Sequence, residues 1–469
     1  MKFKIFFNII LLFLFSFAVN AADPEYIRNT ISLDDYIVEI KKSLPELKSN
    51  EMDILSAENK VKSAKSAADI YLNAGGTAYS NKEYSGIADS GDVKGYNYYA
   101  GLSKKFTSTG TELSTSYNYS KGSYNNFSLT SDYSSCEPSV TVKVTQPLLY
   151  NFLGKVNRYS EKNAVMQLAI ANYQLEENNK SLLNVYKKLY FQWILYNEYI
   201  KNLTQAVKNS NILKEQTRRK LNAGLADNDD YQSSLASVLS YENQRIEYLT
   251  ALKKIETQLI VYMDINARVP DVAVFDEYLI KVSDNELAEV DFRKTTSAKI
   301  MDLTMKNYAY SQGVYENKLL PEFNVFSEIT KKGLSDSQTY SLKDTDYNIG
   351  FEFKYYIENN SAESDLKDIE IKIKSLEYEY RSTENTFRKN LLGYIEAVKG
   401  IIDQLSVKEK TLTALQSRLV TEKKKYNQAR LNLSYIIDTE NNITSEKNNI
   451  LSLRYQLIGY YLDYLDLIQ

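Results

Sequence analysis

Residues 165–207 read VMQLAIANYQLEENNKSLLNVYKKLYFQWILYNEYIKNLTQAV, and two interleaved seven-residue spacings run through them. One joins Val165, Asn172, Asn179, Tyr186, Trp193, Ile200 and Val207; the other joins Leu168, Leu175, Leu182, Leu189, Tyr196 and Leu203. Together they form an a/d stripe sustained for about six heptads, the pattern of a helix that packs against others along its length. The surrounding residues extend the predicted helix over 157–221, roughly 98 Å at the α-helical rise. It stops at Asn222-Ala223-Gly224-Leu225-Ala226-Asp227, where Gly224 suits the left-handed position past a helix end. A return helix is predicted over 229–264.

On the N-terminal side, Leu33, Ile37, Ile40, Leu44 and Leu47 predict a helix over 32–70, with Ser32 as N-cap and Asp35 three residues on. Residues 71–150 change character, with Gly, Ser, Thr, Asn and Tyr dominating. Val140, Val142 and Val144 alternate with Thr141, Lys143 and Thr145 as a half-buried strand does. A hairpin is predicted from 98–106 and 112–119, joined at Ser108-Thr109-Gly110.

On the C-terminal side the series begins again. Residues 265–283 are mixed, with Pro270 and a predicted extended piece at Val272-Ala273-Val274-Phe275. Ser283 and Glu286 read as a capping box opening a helix to Lys318. Pro321 begins a second alternating region, 321–357, and a second long helix is predicted over 362–426. Its stripe runs Leu366, Ile373, Tyr380 and Phe387, steps four residues to Leu391, then resumes as Val398, Leu405, Leu412 and Leu419. The four-residue step is a stutter. A turn over Asn427 to Asn432 leads to a last helix ending near Leu467. At the turns, RRKLNAGL (218–225) lies over KKKYNQAR (423–430) at an offset of 205. Three cations close each long helix, where they complement its dipole.

The 469 residues contain no histidine and one cysteine, Cys136, so Ser-His-Asp, Cys-His and His-zinc chemistry are excluded, as is an intramolecular disulfide. With 57 Lys+Arg against 60 Asp+Glu there is no cationic excess to hold a nucleic acid. Sixteen Gly and six Pro are too few for a turn-dense all-β chain. Neither Cys136 nor any single one of the 40 tyrosines is assigned a role. At the N-terminus, Lys2 and Lys4 precede an apolar run from Ile5 to Val19 and then Asn20-Ala21-Ala22. This pattern predicts a secretory signal cut after Ala21, with no cysteine nearby to carry a lipid. Beyond it no stretch is apolar enough for a transmembrane helix, and barrel strands would not show as one. A bacterial envelope protein results: periplasmic, secreted or outer-membrane.

Two short β-rich regions on helices this long cannot cover their own strand edges. A barrel in a membrane, shared between chains, removes those edges, and long helices standing on it bury their stripes against each other.

Four passages carry a resemblance. They are Ser32 to Ile37 with Leu44 to Leu47; Val144-Thr145-Gln146-Pro147-Leu148-Leu149 with Gly154, Asn157 and Arg158; Leu320-Pro321; and the two tip turns followed by Asp230 and Asp438. In their order and spacing the chain resembles the TolC-type outer-membrane efflux proteins over nearly its mature length. Leu44 stands where that family commonly has Asn. The resemblance implies a mainly α fold with transmembrane β: coiled-coil helical hairpins forming a periplasmic tunnel, and four barrel strands per protomer, twelve in a homotrimer. It implies two internal repeats, 22–282 and 283–469, with 265–282 in a belt around the tunnel. It implies no catalytic residue, cofactor or metal. The implied partners are a periplasmic adaptor, an inner-membrane transporter and outer-membrane lipid. By resemblance Asp438 lies in the periplasmic constriction, although Tyr435 replaces a frequent second aspartate; Asp230 lies at the other tip with Arg430 as its partner. Gly224, Leu225, Ala429 and Arg430 would face the adaptor, Ala429 replacing the usual glycine. A solvated carboxylate at a helix start accounts for Asp438 equally well. A pore-less periplasmic coiled-coil adaptor or scaffold, and a carboxylate enzyme, are the alternative readings.

Overall fold

The structure is a computed structural model and describes residues 29–85, 89–125, 133–264, 268–284, 287, 290–333, 342–428 and 430–468. The elements run β1 (Asn29–Ile31), α1 (Leu33–Ser43), α2 (Pro45–Ala64), β2 (Ile70–Ser85), β3 (Asp89–Lys105), β4 (Glu112–Asn125), β5 (Tyr133–Pro147) and α3 (Tyr159–Asn222). Then come α4 (Asn228–Leu259), β6 (Arg268–Pro270), α5 (Ala273–Asp284), α6 (Thr296–Lys318), β7 (Glu322–Lys332), β8 (Asp344–Lys354), α7 (Asn360–Asn427) and α8 (Leu433–Ile468). The chain is mainly helical with one large sheet. The signal segment 1–21 lies outside the described residues.

Local chemistry explains most boundaries. Ser32 caps α1, its hydroxyl accepting from the Asp35 N–H at 3.2 Å. The helix predicted over 32–70 is broken at Leu44, which is extended (φ −80°, ψ 110°), because Pro45 disfavours a helical residue before it and then opens α2 itself. The hairpin predicted around Ser108 to Gly110 is β3–β4, with Lys105 opposite Glu112.

Three expectations change. Val272 to Phe275 is not extended: Asp271 accepts from the Ala273 N–H at 3.0 Å and starts α5, which buries Val274, Phe275 and Val282. The strand in this region is β6, just before it. Ser283 lies in the last turn of α5, Glu286 lies outside the described residues, and α6 starts at Thr296, capped by the Thr295 hydroxyl. The strict heptad stripe on α3 is only partly buried. Trp193 and Leu203 are, but Val165 is 47% exposed. Beyond Leu203 the second spacing stays buried through polar residues, Ser210 and Thr217, while burial on the first moves from Val207 to Ala206 and Leu213. On α7, by contrast, burial at Phe387, Leu391 and Ile395 follows the stutter.

Among the described residues, two compact units each draw on both halves of the sequence: 29–47, 179–290 and 389–468, and 48–178 with 291–388. The first packs Ile31, Tyr36, Ile40 and Leu44 against Tyr190, Phe191, Trp193 and Ile194, closed by Leu259, Phe275 and Ile458. At its centre the Tyr190 hydroxyl donates to the Ile31 carbonyl at 2.7 Å and accepts from the Asp271 N–H at 3.0 Å. It thereby ties the parallel pair β1–β6 to α3. The second unit holds the sheet, with strand order β2-β3-β4-β5-β7-β8 and every neighbour antiparallel. Six strands stand where four were expected. Residues 71–150 make four of them, because Ser, Asn, Gly and Tyr alternation gives so weak a hydropathy signal that two strands pass for loop. Beside the sheet, α6 packs on the first part of α3 through Ser297–Glu177 at 2.6 Å and Asn307–Asn163 at 2.7 Å.

Candidate functional site

The register of the sheet sorts its residues onto two faces. Leu72 is opposite Leu102, Leu102 opposite Thr115, Leu113 opposite Val144, Val142 opposite Ile329, and Val325 opposite Phe351. The alternate positions pair Asn73 with Gly101, Ser103 with Ser114, Ser116 with Thr141, Thr141 with Thr330, and Thr330 with Asp346. One face is apolar across all six strands and the other is polar, where the Thr141 and Thr330 hydroxyls hydrogen-bond at 3.0 Å. The apolar face lies bare. Leu113 is 38% and Val142 41% exposed although β4 and β5 are paired on both edges; Phe351 on the outer strand is 72% exposed. An exposed apolar patch of this extent marks an interaction or membrane surface. Lysines bound it: on β3 the apolar run lies between Lys94 and Lys104, ending outward on β4 at Lys121 and on β7 at Lys331. The ten residue steps from Lys94 to Lys104 span ~34 Å of strand, or ~26 Å at a barrel tilt near 40°, the height of a membrane's apolar band.

Where β5 becomes α3 the chain turns sharply. Asn151, Leu153 and Gly154 have φ of 60°, 53° and 64°, three left-handed residues in four. Asn tolerates this conformation and Gly is indifferent to it, whereas Leu153 is held there. The Asn151 carboxamide oxygen accepts from the Val156 and Asn157 N–H groups at 3.0 and 3.1 Å. Its own N–H donates to Asn317 at 2.8 Å. Arg158 donates to the Leu153 carbonyl at 2.9 Å. Gln146 locks the β3–β4 turn to the same place, donating to the Thr109 carbonyl at 3.1 Å and accepting from the Thr111 hydroxyl at 2.6 Å. Phe152 and Leu153 stay 46% and 53% exposed.

At the far end of α3, in the other unit, the Leu225 N–H donates to the Lys220 carbonyl at 2.8 Å and the Gly224 N–H to Leu221 at 3.0 Å. This is a Schellman closure around Gly224, whose φ is +69°. At the end of α7 the Arg430 N–H donates to the Lys425 carbonyl at 2.9 Å, the bond displaced by 205 residues.

Residues 111–263 match the outer membrane efflux protein family. The match takes in the junction and the first tip, and it names the family that the sequence resembles. No curated protein matches the chain in sequence. Among solved structures, CusC, described for folding and transmembrane channel formation, superposes at TM-score 0.67 with 12% identity over 94% of this chain and 93% of its own. The outer membrane protein VceC of Vibrio cholerae gives 0.66 with 11% identity over 93% and 95%. The CmeC outer membrane channel of Campylobacter jejuni gives 0.65 with 12% identity over 93% and 85%. At such identity these likenesses establish a shared fold.

In this shared fold the tips place the candidate residues as follows. Gly224 has open space around it and Leu225 is 77% exposed. Arg430 is exposed, and Ala429 lies outside the described residues. Asp230 sits half-buried in the first turn of α4, and no ion pair joins it to Arg430 among the described residues. Asp438 is exposed on α8 beside Tyr435, itself 50% exposed. It lines a polar groove of about 760 Å³ with Ser233, Ser237 and Ser240 of α4 and Asn441 and Ser445 of α8.

Other contacts at the tips were not foreseen. Lys220 caps the Tyr426 ring at 3.5 Å, and Tyr426 is buried with Leu213, Leu433 and Ile436. Of the cations closing α3 and α7, then, Lys220 does more than complement a dipole. Lys423 meets the buried Glu440 at 2.7 Å, and Lys408 meets the buried Glu446 at 3.0 Å. The only hint of these pairs in the sequence is opposite charge at roughly mirrored distances from the turn at 427–432. Asn151 and Asn317 were missed too; an Asn before Phe-Leu-Gly is the one available sign of a left-handed turn.

Proposed function

We propose that this chain is the outer-membrane exit duct of a tripartite efflux or type I secretion system, passing cargo delivered by an inner-membrane transporter through a periplasmic adaptor. The observation that carries the reading is the bare apolar face of the sheet, about one bilayer's apolar band in height and bounded by lysines. Three copies would join their sheets into a lipid-embedded wall whose polar face lines the lumen, and the α3–α4 and α7–α8 hairpins would form a tunnel in the periplasm. The recurrence of one closing hydrogen bond 205 residues apart supports two repeats, 22–282 and 283–469. Phe152 and Leu153, exposed at the strand-to-helix junction, would sit at the inner lipid boundary, as would Tyr355 and Tyr356 after β8.

In this reading Gly224, Leu225, Ala429 and Arg430 form the adaptor-facing tip. Asp438 contributes an acidic ring to the constriction, favouring cations. Asp230 and Arg430, which form no ion pair within one chain among the described residues, would close the bore by pairing between copies, each pair worth ~0–1 kcal/mol and weak enough to open on docking. The transporter, not this chain, supplies the energy.

Fractionation and reconstitution test the proposal. The full chain should travel with outer membranes, require detergent, run as a trimer and conduct in planar bilayers. A monomer that stays in solution without detergent would refute it and favour a periplasmic scaffold.

A further inference from the structure

Resting on the trimeric-duct reading, we infer that each copy contributes six strands to the wall, so that the barrel has eighteen strands instead of the twelve that the family resemblance implies. The six strands form one uninterrupted ladder. Reaching four would require two of them to leave it, and the register leaves no break where that could happen. Sixteen residue pairs join β2 to β3, from Ile70–Lys104 to Ser85–Asp89, and thirteen join β4 to β5, from Glu112–Thr145 to Tyr124–Tyr133. The β3–β4 pair keeps the same two faces as the rest. Leu102, Tyr98, Leu113 and Tyr117 fall on the apolar side, in line with Val142 and Ile329; Ser103, Asn97, Ser114 and Ser116 fall on the polar side, in line with Thr141 and Thr330. A hairpin folded into the lumen or lying outside the wall would have no reason to keep lipid-type residues on the face it shares with β5 and β7.

The turn between β3 and β4 is also built into the wall's lower rim. Gln146 bonds Thr109 and Thr111, and Gly154 approaches so closely that a Cβ there would lie 1.9 Å from the Thr107 carbonyl oxygen. The strand-to-helix junction therefore needs this extra turn as a neighbour.

Among the described residues, the outer strands β2 and β8 are each paired on one side only. Consecutive antiparallel pairing of an even number of strands makes them run oppositely, so β8 of one copy can pair with β2 of the next with no change of pattern. Their apolar faces differ in size: Ala74, Gly76 and Ala78 on β2, against Phe351, Ile349 and Tyr347 on β8. Small residues beside large ones suit adjacent strands. The occupant of each edge is thus a second copy of this chain. With strands ~4.8 Å apart and tilted ~40°, eighteen close at about 35 Å between backbones and twelve at about 24 Å. The wider wall would pass correspondingly bulkier cargo at the outer membrane.

Cryo-electron microscopy of the full chain in lipid nanodiscs counts strands directly. Three copies around eighteen strands is the expected result. Three copies around twelve would overturn the inference and leave the duct reading standing, whereas particles without a shared barrel would overturn both. Thiol labelling gives a second readout in a Cys136→Ser background. Ser116→Cys should react with a membrane-impermeant reagent, and Thr115→Cys on the neighbouring apolar position should lose that reaction. Equal labelling would place the β3–β4 hairpin outside the wall and overturn the inference.

Discussion

Two glycines with nearly the same backbone angle allow steric and conformational cost to be separated. Gly154 has φ +64° and Gly224 has φ +69°. Alanine at either must hold a left-handed conformation, worth about 1–2 kcal/mol. At Gly224 nothing lies within 4 Å of an added Cβ, so that is the whole cost. At Gly154 the Cβ would meet the Thr107 carbonyl oxygen at 1.9 Å and the Gly110 nitrogen at 3.2 Å. These are backbone atoms and cannot rotate aside. The turn must move as a body, giving up the Gly110–Phe106 bond at 2.8 Å and the Gln146 bonds to Thr109 and Thr111. At about 1 kcal/mol for each of two or three hydrogen bonds, Gly154→Ala should cost roughly 3–5 kcal/mol and Gly224→Ala only 1–2. Thermal unfolding of the detergent-purified protein should rank the variants in that order. Hydrogen exchange in Gly154→Ala should rise in residues 106–112 and 148–158 and stay unchanged at the tips. A Gly154→Ala protein as stable as Gly224→Ala, with residues 106–112 still protected, would refute the reasoning.

Tyr190→Phe should destabilise the first unit by about 1–2 kcal/mol, because it strips one donor from the Ile31 carbonyl while the Asp271 N–H still reaches that oxygen at 3.1 Å. Tyr36→Phe should cost nothing or stabilise slightly, since the Tyr36 hydroxyl is buried without a hydrogen-bond partner; chemical denaturation of the two variants checks both. Burial pushes the Tyr36 and Tyr190 hydroxyls above the ordinary tyrosine value of 10.0. The unfolded chain therefore loses these protons first: their stabilisation is complete below about pH 10 and declines above it by about 1.4 kcal/mol per pH unit for each. Melting temperature against pH should show that decline, shallower in Tyr36→Phe. Asp438→Asn should reduce cation preference in planar-bilayer conductance, and unchanged selectivity in a folded trimer would remove Asp438 from the constriction. Gly224→Val should impair export with assembly intact; normal export would count against the tip assignment.

The parts of this protein that follow from short-range chemistry are legible in its residues. The long helices, the stutter after Phe387, the Ser32 cap, the Gly224 turn and the β3–β4 turn each depend on side chains within a few positions of one another. Local rules also mislead where two of them compete. Ser283 and Glu286 satisfy a capping pattern, yet α5 runs through Ser283 and the Thr295 hydroxyl opens the next helix. Pairing between distant segments is another matter. That residues 70–147 make four strands, that β5 is joined to β7 across 177–193 positions, and that Lys423 meets Glu440 depend on which surfaces meet once the chain has closed. Polar alternation in a barrel wall carries little hydropathy contrast along one strand. It becomes unmistakable only when six strands lie side by side and the register sorts their residues onto a lipid-type face and a water-type face.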